Sequence, residues 1–285
     1  MIYLMKSKIT NSIVGFILLT LSSSTIAQMD TCINRTLKYK IISEHLQESR
    51  EYWVSLPMRF DSSKKYPVIY VLDAEWRFDL IRNLAYDLAG NRKIPHHIIV
   101  GIPHIDWEFK RGIDLTFSQS RMEYDGEEVD STWYNSKNSG GAIKFYQFLQ
   151  KELIPHVNGN YKTDGNILVG HSYGGYFGMY LLGLEHQFKA MQIYDPSIWY
   201  GNGEVLDQIE ANYNADDTIH VYIAYQNDPE FHYTKIKDLI SLLKNYPTLK
   251  LDQKEYNEET HNALYLFAFL DGIRKLYLNF DDGSG

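Results

Sequence analysis

The sequence predicts an α/β fold with a mostly parallel central sheet and helices on both faces, and three observations lead there. Short runs that are apolar throughout recur along the chain, as expected of strands buried on both faces. Stretches with a helical apolar period lie between them, at the spacing of right-handed β-α-β crossovers. After the first thirty residues no repeat, low-complexity tract or Pro/Gly/Ser linker interrupts the alternation, so residues 28–285 are expected to form a single domain.

In chain order, Arg50 to Leu56 alternates like a half-buried strand. Tyr66 to Leu72 is a continuous apolar run, and Ile98 to Ile102, Asn166 to Gly170, Ala190 to Tyr194 and His220 to Tyr225 read the same way. A further strand is expected over Leu249 to Tyr256. Helical patterns cover Ile143 to Leu153, Gly175 to Leu184, Thr234 to Lys244 and Asn262 to Tyr277. Residues 117–141 fit neither period. They are polar, carry Glu127-Glu128 and Gly140-Gly141, and stand as a candidate lid loop against the alternative of a surface insertion.

Composition narrows the function classes. Hydrophobic residues make up 44% of the chain and charged ones 22%, enough for a sizeable core and incompatible with a disordered chain. Lys and Arg number 28 against 36 Asp and Glu, a net charge of −8 with no basic tract, which argues against a nucleic-acid partner. At the N-terminus, Lys6 and Lys8 precede the apolar run Ile13 to Leu21, and small residues follow to Ala27. This is the pattern of a cleaved secretory signal over 1–27, with an apolar run shorter than the roughly 20 residues that span a bilayer. Export to a periplasm or the medium is expected, with no stable membrane insertion after cleavage. Cys32 is the only cysteine, so no internal disulfide can form.

The strongest chemical signal is Gly170-His171-Ser172-Tyr173-Gly174-Gly175, a G-x-S-x-G between the buried run Ile167-Leu168-Val169 and a helical pattern. In that strand–turn–helix context Ser172 is the candidate nucleophile, and the Tyr173 amide, at a helix start, is a candidate oxyanion donor. A serine hydroxyl needs a base. His261, the last histidine in the chain, sits between the expected final strand and the final helix and is that candidate. His171 is expected to point away from Ser172 and pack.

The acid that orients His261 should follow another strand. Asp228, in Asn227-Asp228-Pro229-Glu230, is placed first, with Glu230, Asp195 or no acid at all as the alternatives. The Asp195-Pro196 pair also reads as a plain turn. The second oxyanion donor is expected just after Leu72, at the Glu75 amide, with the Glu75 carboxylate in solvent. The histidines are scattered and no metal motif occurs, so neither a metal nor another cofactor is expected.

Taken together, these residues resemble the putative-esterase family of α/β-hydrolases, which includes trilactone siderophore (enterobactin-type) esterases, S-formylglutathione hydrolases, feruloyl-type esterases and mycolyltransferases. The likeness runs from Arg50 to Pro57 through Tyr66 to Asp73, Ile99 to Ile102, Arg111 to Thr116, Gly140-Gly141, Glu152 to Pro155 and Tyr161. It continues through Gly170 to Gly175, Pro196 to Trp199 and Thr260-His261. The resemblance implies an α/β-hydrolase fold with Ser172 as nucleophile, His261 as base and the Tyr173 amide as oxyanion donor. The chain departs from the family's pattern at Ala74, where glycine is usual, and at Asp195, where a serine commonly precedes Pro-Ser-Ile/Leu-Trp. The siderophore-esterase branch looks closest.

The implied activity is that of an exported serine carboxylesterase acting through an acyl-enzyme, on siderophore trilactone or aromatic acyl esters. The alternatives are an acyltransferase using the same intermediate and a non-catalytic binding protein on the same fold. Trp76, Trp133, Tyr134 and Trp199 are candidates to line an aromatic pocket, or else packing residues. Arg111 is a candidate partner for an anionic substrate, or else part of a salt bridge.

Overall fold

In the computed structural model, which describes residues 36–104, 109–130, 132–214 and 216–280, eight strands alternate with eight helices. The chain runs β1 (Leu37–Ser43), β2 (Glu48–Ser55), β3 (Tyr66–Leu72), α1 (Ala74–Gly90), β4 (Ile98–Ile102), α2 (Lys110–Leu115) and α3 (Ala142–Phe148). A π-helical turn over Leu149–Leu153 leads into α4 (Ile154–Asn160). The chain continues through β5 (Thr163–His171), α5 (Tyr173–Leu182), β6 (Phe188–Tyr194), α6 (Glu204–Asn212), β7 (Ile219–Tyr225), α7 (Glu230–Leu243), β8 (Leu249–Glu255) and α8 (Leu264–Leu276). Contacts within the chain divide it into Met1–Ile33 and Asn34–Gly285, and every described residue lies in the second unit. The expected signal segment 1–27 and Cys32 lie outside the described residues. Among the described residues no helix is long and apolar enough to cross a membrane.

The strands form one sheet in the order β1-β2-β4-β3-β5-β6-β7-β8. β1 pairs antiparallel with β2, and β2 with β4; from β4 through β3 to β8 every pairing is parallel. The continuous apolar runs are explained by cores on both faces. In β3, Val68, Tyr70 and Leu72 enter one core while Ile69 and Val71 enter the other. α1 and α8 cover the second core, through Phe78, Ile81, Tyr265 and Phe269. Residues of α3 to α7, including Phe145, Tyr176, Val205 and Ile236, fill the first. The two edge strands carry Lys38, Lys40, Lys250 and Lys254, charges that discourage edge-to-edge pairing.

Sequence reading did not anticipate β1, α1, α2 or α6. β1 carries the alternation Leu37-Lys38-Tyr39-Lys40-Ile41, but on an edge where only part of one face is covered. In α1 the buried stripe mixes Phe78, Ile81 and Tyr86 with the small Ala74, Ala85 and Ala89 and the polar Arg82, so its helical period is faint in hydrophobicity. The helix expected over Ile143 to Leu153 does not stop there. Pro155 lies in the first turn of α4, where the missing N–H goes unneeded.

Near the carboxyl ends of β3 and β4 lies a buried charge network. Arg50 on β2 donates to Asp114 Oδ2 at 2.5 Å, and His104 Nδ1 reaches the same oxygen at 3.0 Å. The other ring nitrogen of His104 is 3.4 Å from Asp73 Oδ1. Arg111 Nε and Nη2 donate to the two Asp73 oxygens at 2.6 and 3.0 Å. Arg111 is therefore spent on a salt bridge that holds Asp73, the residue that caps α1 with a left-handed backbone (φ 54).

Burial by itself would lower the His104 pKa, but Asp114 and Asp73 outweigh it and hold His104 up at about 9. A raised histidine stabilises the fold fully below its unfolded value of 6.5, and that contribution disappears as the pH climbs through about 9. Burial pushes His97 and His171 the other way, down to about 3, so their effect on stability is confined to acid pH. Denaturant melts of the wild type are therefore expected to lose on the order of 3 kcal/mol between neutral pH and about pH 10. In His104→Gln that alkaline decline should flatten. An identical decline in the variant would show that His104 is not charged in the native state.

Candidate active site

β5 ends in the turn that holds Ser172. Ser172 has φ 57 and ψ −120, a backbone that L-residues adopt only under constraint, and α5 begins at the next residue. The constraint is visible on both sides. The Ser172 amide donates to Tyr194 O at the end of β6, at 3.0 Å, and the Ser172 carbonyl accepts from Tyr176 N and Ser197 N at 2.9 and 3.1 Å. A Cβ at Gly170 would collide with Gly174 O, so the motif's first glycine is required by the close approach of strand and helix. The Ser172 hydroxyl lies 3.3 Å from Ser197 Oγ.

Ser172 and His261 line one cavity of about 610 Å³, together with Ser197, Trp199, Tyr124 and His232. Its rim carries Gln226 to Pro229 from the loop after β7 and Asn257 to Thr260 from the loop after β8. His261 sits on the second of these loops, just before α8. His171 packs beside it, with ring centroids 4.3 Å apart, and its Nε2–H donates to His261 O at 2.7 Å. His171 thus points away from Ser172 and props the loop that carries His261.

The carboxylate that meets His261 is one of the stated alternatives and not Asp228, which was placed first. His261 Nδ1 donates to Asp195 Oδ2 at 2.6 Å; it does not meet Asp228. Asp195 comes directly after β6, beside β5 in the sheet, and its backbone turns inward at φ 41. Its carboxylate is completely buried and also accepts from His232 Nε2 at 2.9 Å and Gln226 N at 3.2 Å. Burial alone would raise its pKa, but the hydrogen bonds from His232 and His261 hold it well below the usual carboxylate range. Asp228 lies three residues past the end of β7, exposed at the rim, where its backbone pairs with the Gln226 side chain. Glu230 opens α7 and is also exposed. In the sequence Asp195 stood among the alternatives because it follows a strand as Asp228 does, and the resemblance marked it as a departure from the family's common serine. His232 carried no signal of its own, and Ser197 appeared only within the Pro196 to Trp199 segment of the resemblance.

The two expected oxyanion donors both lie at helix starts. Tyr173 is the first residue of α5. Glu75 is the second residue of α1, ahead of the first amides that bond back to Asp73 O, those of Trp76 and Arg77. The Glu75 carboxylate is not in open solvent: it is half-buried, lies 3.4 Å from the His104 amide that donates to it, and burial raises its pKa.

Loop 117–141 holds one short bridge, Met122 with Glu128, and is tied to its surroundings by side chains. Ser120 N donates to Tyr200 OH at 3.1 Å, Gly201 N donates to Ser120 Oγ at 2.8 Å, and Tyr134 OH lies 3.1 Å from Tyr173 OH. Of the four aromatic residues expected at the pocket, Trp199 lines the cavity. Trp76 and Trp133 are exposed, at 50% and 62%, and Tyr134 packs edge-on against Tyr200. Tyr124, from the loop, lines the cavity in their place.

Known proteins resemble this chain. The chain superposes on the crystal structure of an IroE-like serine hydrolase from Shewanella oneidensis with a TM-score of 0.78 and 29% identity, over 87% of this chain and 81% of that one. It is 26% identical over 208 residues to the ferri-bacillibactin esterase of Bacillus subtilis, covering 67% of this chain and 70% of the relative. It is 24% identical over 168 residues to the apo-salmochelin esterase of Escherichia coli, covering 56% of this chain and half of that relative's length. The fold is that of the α/β-hydrolases, as the resemblance implied. The family described as "Putative esterase" matches residues 43–189, more than half of the chain, and the protein belongs to it.

Proposed function

We propose that this protein is an exported serine carboxylic-ester hydrolase that works through an acyl-enzyme on siderophore trilactones or aromatic acyl esters. Ser172 is the nucleophile, His261 the base, and Asp195, in place of Asp228, the acid. The amides of Tyr173 and Glu75 are the oxyanion donors. The observation that carries this reading is the 2.6 Å hydrogen bond from His261 Nδ1 to the buried Asp195, made by a histidine that shares a cavity with Ser172. With Nδ1 committed to a carboxylate that can only accept, Nε2 is the nitrogen free to take the serine proton.

The reaction follows from those roles. His261 removes the Ser172 proton as the hydroxyl attacks the ester carbonyl, and Asp195 stabilises the imidazolium that forms. The oxyanion develops toward the helix-start amides, where each well-placed donor is worth on the order of 10²–10³ in rate. His261 then protonates the departing alcohol, and water attacks the acyl-Ser172 with His261 as base again. The substrate class rests on the names of the two curated relatives, which act on ferri-bacillibactin and on apo-salmochelin, and on a roomy cavity walled by Trp199 and Tyr124. Export rests on the N-terminal pattern of Lys6, Lys8, the apolar run and Ala27.

A fluorophosphonate should label Ser172 in the wild type, and Ser172→Ala should abolish both labelling and turnover of aryl, feruloyl and trilactone esters while leaving the melting temperature nearly unchanged. Wild-type protein that folds but neither labels nor turns over any of these esters would end the hydrolase reading. Asp195→Asn should lower kcat by about 10²–10⁴-fold, whereas Asp228→Asn should stay within about threefold of wild type. The reverse ranking would return the acid's role to Asp228. Export predicts that the protein recovered outside the cytoplasm starts at Gln28; recovery there with an intact Met1 would refute cleavage.

A further inference from the structure

We infer that His232 is a positioning residue for the Asp195–His261 pair: it fixes the carboxylate so that Oδ2 faces His261. The inference rests on the hydrolase reading above and extends it to a residue outside the Ser172, His261 and Asp195 set.

Asp195 occupies an awkward place for a catalytic acid. It follows β6 directly, has φ 41, and precedes Pro196, so neither strand nor helix holds its side chain. Its backbone is anchored by the amide, which donates to Ala224 O on β7 at 2.7 Å, but the carboxylate could still turn about its last side-chain bond. Two donors oppose that rotation, and both act on Oδ1: His232 Nε2 at 2.9 Å and Gln226 N at 3.2 Å. Oδ2 is thereby left to His261 Nδ1 at 2.6 Å. The loop after β7 and the first turn of α7 thus supply donors to an acid that comes from β6.

His232 has the features such a clamp requires. Its side chain is 4% exposed, so water competes little for the Asp195 oxygen. Among the described residues its Nδ1 has no hydrogen-bond partner, which leaves Asp195 as the polar contact that orients the ring. An ionised carboxylate cannot donate, so Nε2 carries the proton and the tautomer is set.

The test uses the full-length protein and a p-nitrophenyl ester. His232→Asn, whose amide is too short to reach Asp195, should lower kcat about 10–100-fold with KM changed by less than about threefold, as expected when a base is misplaced and substrate contacts are kept. His232→Gln places an amide nitrogen near the position of Nε2 and should recover kcat to within about threefold of wild type. A readout independent of turnover is the far-downfield proton resonance of His261 Nδ1–H. It should be sharp in wild type and His232→Gln, and broadened or lost in His232→Asn. If His232→Asn fails to fold, the comparison of wild type with His232→Gln still decides, because a Gln variant lacking that resonance overturns the inference. So does an Asn variant with wild-type kcat and an unchanged resonance. A wild type that folds but turns over no ester overturns the hydrolase reading itself, a result distinct from either of these.

Discussion

A carboxylate with no exposure to water governs the carboxyl-terminal third of the molecule. Asp195 is ionised and wholly buried, and an uncompensated charge there would cost several kcal/mol. Its oxygens must therefore find donors, and they find them on three separate segments: Gln226 in the loop after β7, His232 in the first turn of α7, and His261 before α8. Each of those segments has to approach the end of β6 for the charge to be tolerated. The same demand that satisfies Asp195 brings the imidazole of His261 to the cavity that Ser172 lines.

A second buried aspartate mirrors it across β5. The sheet places β3 on one side of β5 and β6 on the other, so Asp73 and Asp195 end the two strands that flank the Ser172 turn. Both have left-handed backbones, φ 54 and φ 41, and both are held by cationic or imidazole donors, Arg111 and His104 for one, His232 and His261 for the other. The Ser172 turn is thus set between two fixed negative charges at the carboxyl edge of a parallel sheet, the edge at which open α/β sheets place their ligands. Asp73 caps the helix whose first-turn amides include the proposed second oxyanion donor. Its ties to Arg111 and His104 consequently bear on that geometry without touching a substrate.

Much of this was legible before any coordinates. The continuous apolar runs identified β3 to β7 because strands covered on both faces leave no room for polar alternation, and Val68 to Leu72 divide between two cores as that predicts. Elements with weak contrast were missed. The edge strand β1 buries little, and α1 dilutes Phe78, Ile81 and Tyr86 with three buried alanines and an arginine. The aromatic wall of the cavity was half legible. Trp199 follows a strand and faces the site, but Tyr124 lines the cavity from a loop without a period, one tied to its surroundings through Ser120 and Tyr134.

What local sequence determines here is the turn that carries Ser172. A glycine must precede it because strand and helix come within a side chain of each other, and that constraint spans only six residues. The choice of carboxylate is of another kind. Asp195-Pro196 and Asp228-Pro229 both follow buried parallel strands, and as dipeptides they are the same signal. One begins at the strand's end, beside β5, and bends inward out of water; the other starts three residues farther on and stays at the rim. Only folding decides between them, because hydrogen bonding to His261 depends on distances between segments more than thirty residues apart, and those are set by the sheet order.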